Sequence, residues 1–391
     1  MTTMPEDLHF MQRALDLAAS TIALASPNPQ VGCVVVKDGE IIGEGVHLYE
    51  TRDHAEIVAL RQASSSTAGV KGATAYVTLE PCSHFGRTAP CADALIAAGI
   101  SRCVVATGDP NPFVSGTGLQ RLRDAGVEVR VGVLEQAARD INEAFAHFIQ
   151  TRTPFVTLKA AISVDGKLAP PLANRAPGKP HWITGPEARA EVQRLRHASD
   201  AVLTGINTVL ADDPAYTDRT GLPRRRPLLR VILDTHLRIP LDSQLVRSAS
   251  TGGTPNEDLL IFCDSAAAAA KIAALEDAGA EVEPIVSHNG RLSLPAVLAD
   301  LHDRSIVSLL LEGGSHLNGS FLTQRLVDKV VLFCSETELG EAALPFAAGF
   351  PSPFLLEQSL RRTTNAIFGP PDRPDSCLTG YLTDPWPPTS A

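Results

Sequence analysis

The feature that most constrains this chain of 391 residues is one imidazole and two thiols set around a spare carboxylate: His54 and Glu56, then Cys82 and Cys91. Three protein ligands leave the fourth position of a tetrahedral zinc ion open, whereas a structural site fills it with a fourth Cys or His. The set therefore points to a catalytic metal that activates water. Two thiolates cancel the charge of the ion, so its water is acidified less than by neutral ligands and needs a base, for which Glu56 is the candidate. The run His54-Ala55-Glu56-Ile57-Val58-Ala59-Leu60 reads as a helix start, with His54 in the first turn and Glu56 close by. Cys91 opens a second helical run that ends at Gly99, and the free backbone N–H groups of its first turn favour thiolate. Taken singly, a His-x-Glu is a common solvated helix start and a cysteine a small apolar residue. The combination in this order, with Pro81 ahead of the first cysteine, carries the signal.

The length suggests two or three domains, each able to bury a core. A net charge of -10 speaks against a nucleic-acid partner, since phosphate-backbone binders present basic faces. Seven cysteines, at 33, 82, 91, 103, 263, 334 and 377, are odd in number and scattered at unrelated spacings, so no disulfide framework is expected and a reducing cytoplasm is the expected location. The chain starts as an acidic amphipathic helix and not as a basic apolar leader. No apolar run is long enough to span a bilayer, so no membrane partner is expected.

A domain boundary is expected near residue 150. Before it, the pattern predicts a helix over 8–25, a hairpin of 31–36 and 40–46 turned by Asp38-Gly39, the His54 helix, a strand over 74–79 and the Cys91 helix. A strand over 102–107, a helix over 119–124, a strand over 127–131 and a helical run over 134–150 follow. This makes a mixed five-stranded sheet with helices on both faces. A second αβ cycle begins at Pro154, with strands at 201–203, 228–233, 259–262, 282–286, 306–311 and 327–333. No internal repeat relates the halves. Beyond about residue 336 the chain is rich in Pro and Gly and predicts no clear element, and 385–391 reads as a frayed tail.

No Gly-x-Gly-x-x-Gly follows the first strand of the second half, so a Rossmann dinucleotide site is not supported. Instead, Leu309-Leu310-Leu311-Glu312-Gly313-Gly314-Ser315 is an apolar strand running into a double glycine and a helix, where backbone N–H groups can approach a pyrophosphate. Such a Gly-Gly also serves as a plain tight connection.

The His54 to Cys91 set resembles the cytidine-deaminase superfamily. Most of its members space the cysteines as Pro-Cys-x-x-Cys. Here eight residues intervene, and their core of His84, Gly86, Arg87 and Thr88 is similar to the pyrimidine deaminase half of the bifunctional riboflavin-biosynthesis deaminase/reductase family. Ser26-Pro27-Asn28-Pro29-Gln30-Val31-Gly32 and Gly43-Glu44-Gly45-Val46-His47 match that family too. In the second half, Lys159 to Lys167, Trp182 to Gly185, Thr204 to Pro214 and Asp234-Thr235 occur in the order of its reductase half. Ala89 and Pro180 depart from the family pattern, as does Thr51-Arg52-Asp53 ahead of His54.

The resemblance implies an α/β chain: a cytidine-deaminase-like three-layer domain over 1–150, then a dihydrofolate-reductase-like α/β domain over 151–391. It implies zinc and NADPH as cofactors, a phosphorylated pyrimidine as the small-molecule substrate, and a homo-oligomer. The activities implied are hydrolytic deamination of a diaminopyrimidinone, then reduction of its ribosyl group to ribityl. Carried over residue by residue, the metal ligands are His54, Cys82 and Cys91, with Glu56 as proton shuttle. Asn28, His47, His84 and Arg87 are further candidates for the deaminase substrate, Asn28 reading a pyrimidinone edge or serving only the turn between its prolines, Arg87 taking the phosphate, and His84 touching substrate or only stabilising the loop. Cofactor contacts fall at Ala161, Trp182, Thr208, Asp212, Thr235 and the turn of Gly314, Ser315, His316, Leu317, Asn318, Gly319 and Ser320. Reductase substrate contacts fall at Arg196, Tyr216, Arg219 and Glu312, with Lys159 and Glu312 beside the reacting carbon. Two arginines suit a sugar phosphate because a guanidinium pairs bidentately with phosphate oxygens. Arg238, shortly after Thr235, is the candidate for a 2′-phosphate. Two other classes stay open: a nucleoside or transfer-RNA deaminase with an unrelated second domain, and a non-enzymatic binding protein braced by zinc.

Overall fold

A computed structural model describes residues 5–84, 89–175, 181–350 and 352–386, so Arg87 and Pro180 lie outside the described residues. Contacts divide the chain into two compact units. One comprises Met1–Arg152, Pro223–Arg225 and Pro385–Ala391; the other comprises Thr153–Leu222 and Arg226–Asp384.

The first unit is built on β1 (Gly32–Lys37), β2 (Glu40–Val46), β3 (Thr74–Leu79), β4 (Arg102–Thr107) and β5 (Glu128–Val131), in the order β2-β1-β3-β4-β5. β1 pairs antiparallel with β2 and β3, while β3, β4 and β5 run parallel. One face of the sheet packs α2 (Ala55–Ala63), α3 (Cys91–Ala97) and α4 (Thr117–Asp124) through Ala59, Leu60, Ala92, Leu95 and Leu122. The other face packs α1 (Pro5–Ala19) and α5 (Glu135–Ile141) through Phe10, Met11, Ala14 and Ala138. The helical run expected over 134–150 is two helices, α5 and α6 (Glu143–Thr151), divided at Asn142.

Two features of this unit fix its helices against the sheet. α2 rests directly on β2 because Gly43 and Gly45 have no side chain: a Cβ at either would stand 2.2 Å from the Ala59 carbonyl oxygen or 2.1 Å from that of Ala55. On the opposite face, the buried Asp7 carboxylate accepts from Tyr76 Oη at 3.1 Å, from Arg102 at 2.7 and 2.9 Å and from Arg130 at 2.9 Å, tying α1 to three successive strands. The Arg102 guanidinium holds the Asp7 carboxyl below its ordinary value.

Of the tail expected to fray over 385–391, residues 387–391 lie outside the described residues, and Pro385 and Trp386 are held in place. Trp386 is 5% exposed within the first unit's core, its Nε1 donates to the Arg139 carbonyl at 3.0 Å, and the Pro385 carbonyl accepts from Gln150 Nε2 at 3.0 Å.

The second unit is a nine-stranded sheet. In spatial order its strands are Glu281–Ile285, Leu259–Asp264, Leu229–Leu233, Ala201–Gly205, Ser308–Leu311, β6 (Phe155–Ser163), Lys329–Ser335, Asp375–Tyr381 and Arg361–Phe368. All pairings are parallel up to Lys329–Ser335; the last two strands add antiparallel. The central strands are buried on both faces, as continuous apolar runs such as Leu309-Leu310-Leu311 require. The final two strands come from the Pro/Gly-rich stretch in which no element is expected. Among the described residues of both units, no helix is long and apolar enough to cross a membrane.

Candidate functional site

In the first unit the ligand atoms of His54, Cys82 and Cys91 lie within 4.8 Å of one another. His54 is the N-cap residue of α2, Cys91 opens α3, and Cys82 lies shortly after the carboxyl end of β3. Their convergence is a product of topology, because two helix N-termini meet where a parallel strand ends. His54 Nδ1 stands 3.1 Å from Cys91 Sγ and 3.5 Å from Cys82 Sγ, and the Cys91 backbone N–H donates to Cys82 Sγ at 3.3 Å. The Cys91 and His54 side chains hold the Cys82 thiol well below its ordinary value, while its neighbour Cys82 and burial push Cys91 up. Such a pair is suited to a soft dication, which would let both sulfurs be thiolates. Glu56, the second residue of α2, is 4% exposed, and burial pushes its carboxyl up to about 7. A carboxyl poised near neutrality beside three ligands that leave a fourth position open is fitted to carry protons to and from water.

Asn28 and His47 come together beside this centre. Asn28 Nδ2 is 2.9 Å from His47 Nε2, and His47 Nδ1 is 2.9 Å from the Asp53 carbonyl oxygen. A carbonyl only accepts, so the Asp53 contact assigns the proton to Nδ1 and leaves Nε2 to accept from Asn28. Burial lowers the His47 pKa, in keeping with a neutral ring. The Asn28 amide oxygen is thereby turned away from His47 and can receive a donor. The His47 and His54 rings meet edge to face at 5.5 Å. His84 is exposed and lines a small cleft with Cys82, Ser83, Asp109 and Thr117. Burial pushes the Asp109 carboxyl up to about 6.

In the second unit, adjacency of strands assembles a cluster. Leu158 of β6 pairs with Leu311, so Lys159 and Glu312 follow side by side, with Lys159 Nζ 3.6 Å from Glu312 Oε2. Arg196, from α7 (Pro186–Ala198), closes a bidentate pair on Glu312 at 2.6 and 3.0 Å. The Lys159, Glu312 and Arg196 side chains are 15%, 9% and 12% exposed, so all three charges are largely withdrawn from water. Burial alone would raise the Glu312 carboxyl, but Arg196 and Lys159 hold it below its ordinary value; burial lowers Lys159, with Glu312 opposing. Tyr216 lies under the Arg196 guanidinium at 5.1 Å, and its hydroxyl donates to Thr204 Oγ1 at 3.2 Å. Arg219 is exposed, its Nε donating to Thr217 Oγ1 at 3.0 Å.

The double glycine opens the nine-residue helix Ser315–Thr323. Its start and that of α8 (Ile206–Asp212) follow neighbouring parallel strands at their carboxyl ends, where open α/β sheets bind ligands. Thr208 Oγ1 stands 3.3 Å from where a Gly314 Cβ would be. The Ser315 hydroxyl and the Asn318 amide oxygen are buried without a hydrogen-bond partner among the described residues. A free hydroxyl over a helix N-terminus fits a phosphate group, and so fits a nucleotide cofactor. Gly319 and Ser320 lie deeper in the helix: Gly319 backs onto the Ala348 carbonyl, and the Ser320 hydroxyl donates to the His316 carbonyl at 2.9 Å. His316 is exposed and Leu317 faces Gly205. Ala161 lies on β6 beyond Lys159, and Asp212 ends α8 with burial raising its carboxyl. Thr235 follows the Leu229–Leu233 strand. Trp182 is 63% exposed with the Arg189 guanidinium 5.1 Å from its ring. Arg238 donates to Asn207 Oδ1 at 2.8 Å, beside Thr208.

These two sites coincide with two family matches. Residues 4–107 match the cytidine and deoxycytidylate deaminase zinc-binding region, and residues 154–366 match the RibD C-terminal domain. The chain is 41% identical to the riboflavin biosynthesis protein RibD of Actinobacillus pleuropneumoniae over 85% of each chain. The chain belongs to the RibD family. RibD of Escherichia coli is 40% identical over 86% of this chain and 90% of its own. Acinetobacter baumannii RibD superposes with a TM-score of 0.78 at 36% identity, covering 97% of this chain and 99% of that one. The diaminohydroxyphosphoribosylaminopyrimidine deaminase/5-amino-6-(5-phosphoribosylamino)uracil reductase of Thermotoga maritima does so with 0.79 at 33% identity, covering 96% and 99%. The fold class is the one expected, a zinc-binding deaminase domain followed by a RibD reductase domain.

Sequence reasoning missed residues that act around the RibD sites. Glu80 is buried one residue before Pro81 and accepts the backbone N–H groups of Asp109, Gly116, Gly118 and Leu119 at 2.9 to 3.3 Å, fixing that loop beside Cys82. A charged residue directly after the apolar run 74–79 was its signal. Thr204 donates to the Glu312 carbonyl at 2.8 Å, and nothing in its sequence setting marks that contact.

Proposed function

We propose that this chain is a bifunctional enzyme of riboflavin biosynthesis. Its first unit deaminates 2,5-diamino-6-ribosylamino-pyrimidinone 5′-phosphate by zinc-dependent hydrolysis, and its second reduces the ribosyl group to ribityl with NADPH. The observation that carries the reading is the convergence of His54, Cys82 and Cys91 with the buried carboxyl of Glu56 beside them.

His54, Cys82 and Cys91 would hold a zinc ion, which would supply the Lewis acidity that makes water nucleophilic at neutral pH. Glu56 takes a proton from the attacking water and passes it to the departing nitrogen, so that ammonia leaves, the ring carbon gains an oxygen and the carboxyl returns to its starting state. Asn28, oriented by His47, presents an amide oxygen to the donor edge of the pyrimidinone. His84 and Arg87 are the contacts assigned to the rest of this substrate.

In the second unit NADPH, when bound, supplies hydride to C1′. Thr208, Gly314 and Ser315 would hold its phosphates, Ala161, Trp182, Asp212 and Thr235 would make further contacts to it, and Arg238 would favour a 2′-phosphate. Opening of the ribose ring leaves an oxygen that needs a proton, and Lys159, buried with a lowered pKa beside Glu312, is placed to give it. Arg196, Tyr216 and Arg219 hold the phosphorylated substrate. A reducing cytoplasm suits the free cysteines.

The test feeds the diamino substrate and NADPH to the purified protein and follows ammonia and cofactor absorbance together. The wild type should release ammonia and then consume NADPH in equal amounts. Glu56→Gln should cut ammonia release by about 10²–10⁴-fold while retaining zinc, and should still reduce the deaminated substrate. Ammonia release that survives the substitution contradicts the reading.

A further inference from the structure

Helix α7 grips the loop that carries Tyr216 and Arg219 with three side chains from one face. Gln193, Arg196 and His197 stand at i, i+3 and i+4. Gln193 Oε1 accepts the Arg219 backbone N–H at 3.0 Å, Arg196 Nη1 donates to the Thr217 carbonyl at 3.3 Å, and His197 Nδ1 meets Asp218 Oδ2 at 2.8 Å. The His197 and Asp218 side chains are only 4% and 8% exposed. Asp218 also folds the loop on itself, its Oδ1 accepting from the Thr220 backbone N–H at 3.0 Å and the Thr220 hydroxyl at 2.7 Å.

Within this loop Tyr216 has a φ of 48°, a left-handed conformation that a bulky residue keeps only where its surroundings over-determine it. Packing alone does not call for a buried His–Asp pair on α7; Ala188 and Val192 of the same helix serve its core without desolvating polar groups. The pair adds direction. A carboxylate only accepts, so Asp218 takes the His197 N–H with one oxygen and Thr220 with the other, which selects a single loop conformation.

We propose that His197 is a positioning residue of the reductase, acting through Asp218 to hold Tyr216 and Arg219 in the geometry that receives the phosphorylated substrate. This rests on the assignment of Arg196, Tyr216 and Arg219 to that substrate. The loop is set before substrate arrives, so its loss weakens binding more than it slows turnover.

The experiment compares His197→Leu, His197→Asn and Arg219→Ala in the full chain. An Asn amide can donate to Asp218 from near the Nδ1 position; Leu cannot. His197→Leu should raise the KM for the deaminated, phosphorylated substrate about tenfold with kcat changed by less than about twofold. NADPH affinity, read by tryptophan fluorescence, and ammonia release should stay as in the wild type, and trypsin should cut sooner after Arg219. His197→Asn should restore most of the affinity. A wild-type KM in His197→Leu, an equal loss in the Leu and Asn variants, or a parallel loss of NADPH binding and ammonia release overturns the proposal. If Arg219→Ala raises KM and His197→Leu does not, the positioning role alone falls; if neither does, the substrate assignment falls with it. Should His197→Leu not fold, Asp218→Asn, which alters the pair from the loop side, gives the same readouts.

Discussion

Glu312 lies between two cations, Lys159 at 3.6 Å and Arg196 at 2.6 Å, and its charge sets what Lys159 can do. Burial lowers the lysine pKa and Glu312 raises it, so the ammonium survives to a pH set by the balance of the two. A group with a lowered pKa loses its proton at lower pH than an ordinary lysine. If Lys159 gives a proton during reduction, the reductase rate falls on an alkaline limb below the usual lysine range. In Glu312→Gln the opposing charge is gone, burial acts unchecked, and that limb should move to lower pH. The pH profile of kcat in the two proteins checks this, and a limb that does not move counts against Lys159 as the donor. The residues proposed to hold the metal were legible in sequence, and the Glu312 cluster less so. Zinc chemistry demands particular residue types, and His54, Glu56, Cys82 and Cys91 carry that signal through their combination and order along the chain. A buried carboxylate held by Arg196, 116 residues away, is a product of the fold, and only the family resemblance pointed to it.

At the scale of elements, β1, β3 and β4 were legible because short runs of β-branched and other apolar residues read as strands, and Asp38-Gly39 reads as the hairpin turn into β2. Arg361–Phe368 was not: nearly every one of its side chains is exposed, so no alternation of apolar and polar residues marks it as a strand. The tie from Asp7 to Arg102 and Arg130 joins positions 95 and 123 residues apart, beyond any local pattern. Gly43-Glu44-Gly45 was visible as a motif, but its reason is the approach of α2 to β2. Gly45→Ala would set a methyl 2.1 Å from the Ala55 carbonyl oxygen, next to His54. Backbone cannot yield as a side chain does, so α2 must shift. The expected outcome is weaker zinc retention, ammonia release lowered at least about tenfold and a destabilisation of about 1–3 kcal/mol, with the reductase rate unchanged. Metal titration and the two separate assays check it.

Over the whole molecule, each unit has its own core and its own chemistry, yet the first unit is not contiguous in sequence. Trp386 packs in its core and Arg139 stacks on the indole at 5.3 Å. A tail of Pro, Ser and Thr around one Trp gives no periodic signal, so its burial could not be read beforehand. Trp386→Ala should destabilise the first unit by about 3–5 kcal/mol, the usual cost of truncating a buried aromatic side chain. Thermal unfolding followed by loss of deaminase activity should shift to lower temperature, while reductase activity at ambient temperature stays as in the wild type.

A zinc ion with only three protein ligands would do the chemistry of the first unit and none of that of the second. The most direct measurement is the metal content of the protein before and after chelation, with ammonia release from the diamino substrate and NADPH oxidation by the deaminated substrate assayed on the same samples. The expected result is one zinc per chain, ammonia release that disappears with the metal and returns on its restoration, and NADPH oxidation that does not change. Ammonia release at full rate from metal-free protein would contradict it.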